Sequence, residues 1–256
     1  MFEAQGTTKY SLSFERPLLN AAGSLGFTPD WRDVPELHNL GAFFTNPVSL
    51  GARTPASGTR FLAYPGGFLL HSGYPNPGLK RVIQQYSQSW ARQPLPVWVH
   101  LLAQNTDELE QMVRFLEGRE GVAGIEVGLA AEVDRLSAQA LTAASLSELP
   151  IIVRLPLERA YDLAPTVIEA GASAISLGPP RGSLPLPEGK QVSGRLYGPA
   201  IFPLALEMVK AITRFGIKVI GAGGVYQPAD VKAMLSAGAI AVQIDTALWR
   251  GWGEPG

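Results

Sequence analysis

Short, largely apolar runs alternate along the chain with longer segments whose apolar positions recur at helical spacing. The runs at 17–22, 42–45, 97–102, 124–128, 151–155, 174–178, 218–221 and 241–244 predict eight strands of the buried type. Helical periodicity predicts helices at 78–92, 106–117, 131–148, 159–170, 201–215 and 228–237, with a short one at 34–39. A hairpin is expected ahead of residue 17, and residues 50–77 make a long excursion rich in glycine and proline.

Strands joined by crossover helices need a parallel sheet covered on both faces. A glycine followed at once by a strand recurs in Leu40-Gly41-Ala42, Val122-Ala123-Gly124, Ala170-Gly171-Ala172 and Ala237-Gly238-Ala239. This internal repeat predicts an α/β fold, a closed (β/α)8 TIM barrel forming one domain over residues 1–256, with an open doubly wound sheet as the alternative. Only residues 247–256 follow the eighth strand, so a truncated final helix is expected, its flank covered by a partner or by the N-terminal segment.

Composition narrows the partners. No apolar run approaches the ~18 residues of a membrane span, and 21 basic against 22 acidic residues give a net charge of −1, which offers nucleic acid or anionic lipid no broad attraction. There is no cysteine, hence no thiolate metal site or cysteine base, and no HExxH motif, so no metal is expected. Charged residues make up only 17%, where about 25% is usual, which predicts surface covered in a homo-oligomer or a larger complex. The start, MFEAQGTTKYS, has no apolar leader, and a cytoplasmic location is expected.

In a barrel the loops after the strands gather at one face and carry function. The seventh strand ends in Gly221-Ala222-Gly223-Gly224 and the eighth in Gln243-Ile244-Asp245-Thr246-Ala247. Gly223, Gly224 and Thr246 suit a phosphate, since glycine lets backbone N–H groups approach it; the alternative is a tight turn with no ligand. Asp245 opposes an anion unless Arg250 or another cation offsets it. His100 ends a strand and can face a ligand, and His71 lies in the long excursion and can act as a base. His38 reads as structural. Arg154 offers a fork of donors to a carboxylate or a cofactor. Glu126 and Tyr197 stay open, as do Trp249 and Trp252, which suit either a contact with another chain or packing over the barrel.

Several stretches resemble the dihydroorotate dehydrogenase family. The run 194–203, GRLYGPAIFP, is similar to the family's GGLSGPAIKP; 220–225, IGAGGV, to IGxGGI; 238–247, GAIAVQIDTA, to GAxAVQxGTA; and 73–78, GYPNPG, to the GLxNPG loop. The segments 20–26 and 41–45 fit the first two strands, so the resemblance spans nearly the whole chain in order. It implies a small-molecule substrate and an FMN site with the phosphate on Gly223, Gly224 and Thr246. Supporting backbone would lie near Ala22, Gly23, Gly194 and Gly198, and the flavin over Thr45, Asn46, His100 and Arg154. Family enzymes pass a hydride from dihydroorotate to flavin while a cysteine or serine after the fourth strand takes a proton.

The departures gather at the substrate. Where the family has ELNxSCPN this chain has 126–132 as EVGLAAE, without the base or the paired asparagines. The lysine near the end of strand two is Asn46, the asparagine of strand three is His100, the lysine of strand five is Arg154, and after strand six stands Gly178-Pro179-Pro180-Arg181. Three functions therefore fit: an FMN-dependent oxidoreductase with a reassigned base, a noncatalytic barrel serving as a structural or regulatory subunit, and an isomerase or aldolase acting on a phosphorylated sugar. The last has no lysine at the expected strand ends for a Schiff base.

Overall fold

The computed structural model describes residues 12–31 and 35–249. In chain order its strands are β1 (Leu18–Asn20), β2 (Phe43–Phe44), β3 (Phe61–Tyr64), β4 (Gly67–Leu70), β5 (Val97–Leu101), β6 (Val122–Gly128), β7 (Ile151–Pro156), β8 (Ala174–Gly178), β9 (Arg181–Pro185), β10 (Gln191–Tyr197), β11 (Val219–Ala222) and β12 (Ala241–Ile244). The helices are α1 (Leu79–Arg92), α2 (Thr106–Leu116), α3 (Arg135–Ala144), α4 (Ala160–Glu169), α5 (Phe202–Thr213) and α6 (Pro228–Ser236), and a 3-10 helix, Pro35–Asn39, stands between β1 and β2.

Eight strands lie side by side in the order β1-β12-β11-β8-β7-β6-β5-β2, every pair parallel. The seam between β1 and β2 is joined differently. One parallel bridge sets Leu19 opposite Ala42, Gly41 N–H donates to the Leu18 carbonyl at 2.7 Å, and the Asn20 amide does the rest. Its Nδ2 donates to the Phe44 carbonyl at 2.7 Å, and its Oδ1 accepts from Phe44 N–H at 2.8 Å. A side chain thus supplies ladder bonds that the two-residue β2 is too short to make. The predicted (β/α)8 barrel is the observed architecture.

Alternate strand residues point inward. Leu19, Phe44, Trp98, Ile152, Ala174, Ile220 and Ala241 form an apolar floor inside the barrel, where the Phe44 and Trp98 rings stack at 5.6 Å. Gly124 serves that floor, since a Cβ there would stand 2.4 Å from the Trp98 ring. The recurring glycine of the sequence therefore has three causes, the first of them at Gly41, where a Cβ would stand 2.0 Å from the Arg16 carbonyl oxygen. At Gly124 it makes room for a ring, whereas Gly171 and Gly238, at φ 110° and 102°, turn the chain out of α4 and α6. The opposite strand faces pack under the helices in a second, larger core. Side-chain caps set where helices begin: Asn105 accepts from Glu108 N–H at 2.9 Å before α2, and Asp134 from Ser137 N–H at 2.8 Å before α3. The latter cap starts α3 four residues later than the periodicity predicts.

The excursion at 50–77 and the segment after β8, both read above without strands, fold together as a second, antiparallel sheet in the order β3-β4-β10-β9. Its outer strands β3 and β9 alternate exposed with half-buried residues; β9 carries no apolar run, and the short runs Phe61-Leu62-Ala63-Tyr64 and Phe68-Leu69-Leu70 are parted by Pro65-Gly66-Gly67, which reads as loop. This sheet is a lid over the C-terminal ends of the barrel strands, with residues of both lining one cavity. After β12 the chain makes a 3-10 turn, Thr246–Trp249, and Trp249 Nε1–H donates to the Ser24 carbonyl at 2.8 Å. The expected N-terminal hairpin falls largely, and Arg250 and Trp252 wholly, outside the described residues. No helix among the described residues is long and apolar enough to cross a membrane.

Replacing Asn20 by alanine leaves the buried Phe44 N–H and carbonyl unpaired and is expected to cost about 2–4 kcal/mol. A lowered urea midpoint at unchanged slope measures this loss.

Candidate active site

The pleat that lays down the apolar floor places a polar layer above it. Two residues beyond Trp98, Gly124, Ile152, Ala174 and Ala241 come His100, Glu126, Arg154, Ser176 and Gln243, all five buried. Glu126 is the centre of this layer. One carboxylate oxygen accepts from Ser176 Oγ–H at 2.6 Å and from Gln243 Nε2–H at 3.0 Å, and the other meets His100 Nδ1 at 2.6 Å. Burial alone would raise the Glu126 pKa, but the hydrogen bond and charge of His100, the Arg154 guanidinium and the Ser176 hydroxyl hold it at about 2. An ionised carboxylate only accepts, so Nδ1 carries the imidazole proton. Burial pushes the His100 pKa below its ordinary 6.5, Glu126 works against that, and the charges of Arg154 and Arg195 add to the lowering. The ring is therefore neutral at pH 7, with the lone pair on Nε2. Nε2 sits beside Gly128, where a Cβ would come within 2.6 Å of it, at the wall of the cavity under the lid.

That cavity, about 330 Å³, is floored by His100, Gly128 and Arg154 and roofed by His71, Tyr74 and Arg195, with Arg53 and Arg181 also on its wall. Glu132 is its one lining carboxylate and stands 3.8 Å from Arg181. Arg154 also lines a second hollow of only about 20 Å³, with Gly198, Gly223, Gly224, Gln243, Asp245 and Thr246. Arg154 Nη1 crosses to the Ala22 carbonyl at 3.2 Å. Its Nε and Gln243 Oε1 are buried without a partner, a donor and an acceptor left open on the wall of one hollow. Burial pushes Asp245 up to about 6 against the opposing pull of Arg154 and Arg195.

The sequence candidates divide accordingly. His71, His100 and Arg154 meet at the larger cavity, and Gly198, Gly223, Gly224 and Thr246 at the smaller, where the Thr246 hydroxyl is 2.6 Å from the Tyr226 hydroxyl. Gly223 and Gly224, at φ 107° and 69°, also fit against the start of α5, where a Cβ on Gly224 would meet Phe202 N at 2.3 Å, so both the turn and the anion reading have a basis. Ala22 joins through its carbonyl, and Gly23 follows it with φ 99°. Thr45, Asn46 and Gly194 line neither hollow. Thr45 Oγ1 accepts from His100 N–H at 3.1 Å, Asn46 Oδ1 accepts from Gly26 N–H at 3.1 Å, and Gly194 lets β10 lie close over Leu69 and Leu70 in the lid. The sequence reading did not join Glu126 to Ser176 and Gln243, nor Tyr74 to Arg195. For the first set a signal was present: each polar residue stands two places after a small or apolar inward residue of its strand. Among the described residues no group of three or more His, Asp or Glu could hold a metal ion.

Glu126→Gln keeps the volume but sets its amide against donors, and is expected to lower stability at pH 7 by about 2–4 kcal/mol. The sign of the pH dependence follows from a folded pKa of about 2 against an ordinary 4.5: the carboxylate's contribution is complete above 4.5 and is lost as pH falls toward 2. Urea midpoints recorded from pH 7 to 3 should show this loss in the parent chain and a flatter profile in the variant. The depressed His100 adds an earlier decline below 6.5, where the unfolded chain takes up the proton first.

The family model of dihydroorotate dehydrogenase matches residues 6–131 and 185–253. A protein of Pelobacter propionicus named dihydroorotate dehydrogenase B (NAD(+)), catalytic subunit, is 30% identical over 257 residues, covering 92% of this chain and 84% of that protein. One of the same name from Citrifermentans bemidjiense is 30% identical over 263 residues with the same coverage. In three dimensions the chain is similar to the dihydroorotate dehydrogenase of Eimeria tenella solved with ferulenol, with a TM-score of 0.73 over 94% of this chain and 78% of the other at 15% identity, a likeness of fold. The chain belongs to the dihydroorotate dehydrogenase family.

Proposed function

We propose that this chain is an oxidoreductase of the dihydroorotate dehydrogenase type that uses FMN and takes dihydroorotate or a related small anion into the arginine-lined cavity. The observation that carries the reading is the His100–Glu126 pair, a neutral imidazole held in one tautomer by a buried carboxylate, with its free nitrogen at the cavity wall. This is the arrangement of a general base. It supplies what the missing cysteine or serine would have supplied.

The polar groups of the smaller hollow suit FMN. Gly223 and Gly224 N–H make no backbone hydrogen bond among the described residues, Thr246 lies alongside, and Arg154 Nε and Gln243 Oε1 await an acceptor and a donor. We assign the cofactor to these residues with Ala22, Gly23 and Gly198; Thr45 and Asn46 support it by fixing the strand ends, and Gly194 by shaping the lid. The space is another matter. With Arg154 on the Ala22 carbonyl the hollow holds about 20 Å³, so loading FMN requires that guanidinium to move aside. Bound FMN supplies a two-electron acceptor for hydride. On the protein's side, His100 Nε2 takes the substrate proton, Glu126 stabilises the imidazolium that results, and the lid excludes water. His71, in the lid wall, is the second candidate for the proton. The relatives are named as catalytic subunits; with 17% charged residues, assembly with a further subunit or a second copy is proposed here too.

The closed hollow and the Asp245 carboxylate beside it favour one other reading, a barrel that serves as a noncatalytic subunit. Reconstitution with FMN followed by desalting separates the two. Retained absorbance near about 450 nm supports the first, and a protein that stays colourless supports the second. Arg154→Lys, shorter and closer to the family pattern, is expected to raise the flavin retained per chain; no gain would show that Arg154 is not what closes the hollow. In flavin-loaded protein His100→Asn is expected to slow bleaching by dihydroorotate by about 100-fold or more while flavin content stays unchanged.

A further inference from the structure

The structure assigns Arg195 as the group that docks the carboxylate of the substrate, an inference that rests on reading the cavity under the lid as the substrate site. Arg195 stands where the family pattern has glycine, and Tyr197 where it has serine. The two change together and build one device. The Arg195 guanidinium lies 3.7 Å from the centre of the Tyr74 ring, its Nη2 donates to Ser72 Oγ at 2.9 Å, and its Nε donates to the Tyr197 hydroxyl at 3.2 Å. All three partners are neutral, so the guanidinium is fixed in place with no carboxylate in contact; the buried Asp245 feels its charge without an ion pair to it. The other cationic side chains of the cavity differ. Arg154 faces Glu126 and the Ala22 carbonyl, Arg181 stands 3.8 Å from Glu132, and Arg53 is exposed.

The backbone confirms that this geometry is imposed. Tyr74 has φ 53°, the one positive value outside glycine among the described residues, a conformation that an aromatic residue adopts only when its surroundings hold it there. Tyr74 N–H donates to Ser72 Oγ at 3.2 Å, and Asn76 Nδ2 donates to the Tyr74 carbonyl at 3.0 Å. Ser72 thus fixes both the ring's backbone and the guanidinium that lies over the ring. A planar, preorganised fork matches the two oxygens of a carboxylate. Nη1 engages no group of the described protein and remains for the ligand.

The test is calorimetric titration of the whole chain with benzoate and with benzamide, a pair alike in shape and different in charge. Benzoate is expected to bind at least about tenfold more tightly, the range of a charge-assisted hydrogen bond. Arg195→Gln should erase the preference, Arg195→Lys should keep part of it, and Ser72→Ala, which frees the guanidinium without removing it, should fall between the parent and Arg195→Gln. Thermal melts establish that each variant is folded. Equal affinity for the two probes, no saturable benzoate binding, or a preference that survives in folded Arg195→Gln would each overturn the assignment. Dihydroorotate turnover is scored separately. A chain that selects benzoate through Arg195 but does not oxidise dihydroorotate leaves the docking role standing and refutes the proposed activity; turnover with an unchanged preference in Arg195→Gln does the reverse.

Discussion

The upper half of the barrel is organised around one ionised carboxylate with no access to water. Glu126 on β6 takes hydrogen bonds from β5, β8 and β12 and faces the charge of Arg154 on β7. A buried charge deprived of such partners costs several kcal/mol, so the registers that bring His100, Ser176 and Gln243 to it are enforced together. The same carboxylate decides which nitrogen of His100 bears the proton. Structure and chemistry meet in that one atom pair: whatever holds the strands in register also aims the lone pair of Nε2 at the cavity.

Arg154 has the opposite character. It forms the wall shared by the two hollows, with one N–H on the Ala22 carbonyl and another on nothing. Its guanidinium is a cation that feels both Glu126 and Asp245. The two hollows therefore share one residue as their common wall.

What could be read from the linear chain follows physical lines. The eight barrel strands were legible because both of their faces are buried, which leaves short apolar runs, and His100 and Arg154 were legible because they end such runs. The lid was not, because β9 is wetted on alternate residues and holds Gly182 and Pro185, and the apolar runs of β3 and β4 are short and parted by Pro65-Gly66-Gly67, which reads as loop. The glycine recurring before four of the strands looked like one repeated device, but at Gly124 it makes room for a tryptophan and at Gly171 it reverses the chain. Glu126 could not be ranked because its partners come from three other strands, and a single strand's pattern does not report register. Ser72 and Arg195 lie 123 residues apart, and nothing local to either announces the other.

That separation has a kinetic consequence. The lid is stitched from two excursions, one leaving after β2 and one after β8, and its central pairing of β4 with β10 joins distant parts of the chain. With outer strands wetted on alternate residues, the lid has less buried apolar surface to hold it than the barrel has, the character of regions that open locally in the native state. A lid held by four short strands would, in opening, set a ceiling on how fast a ligand can exchange.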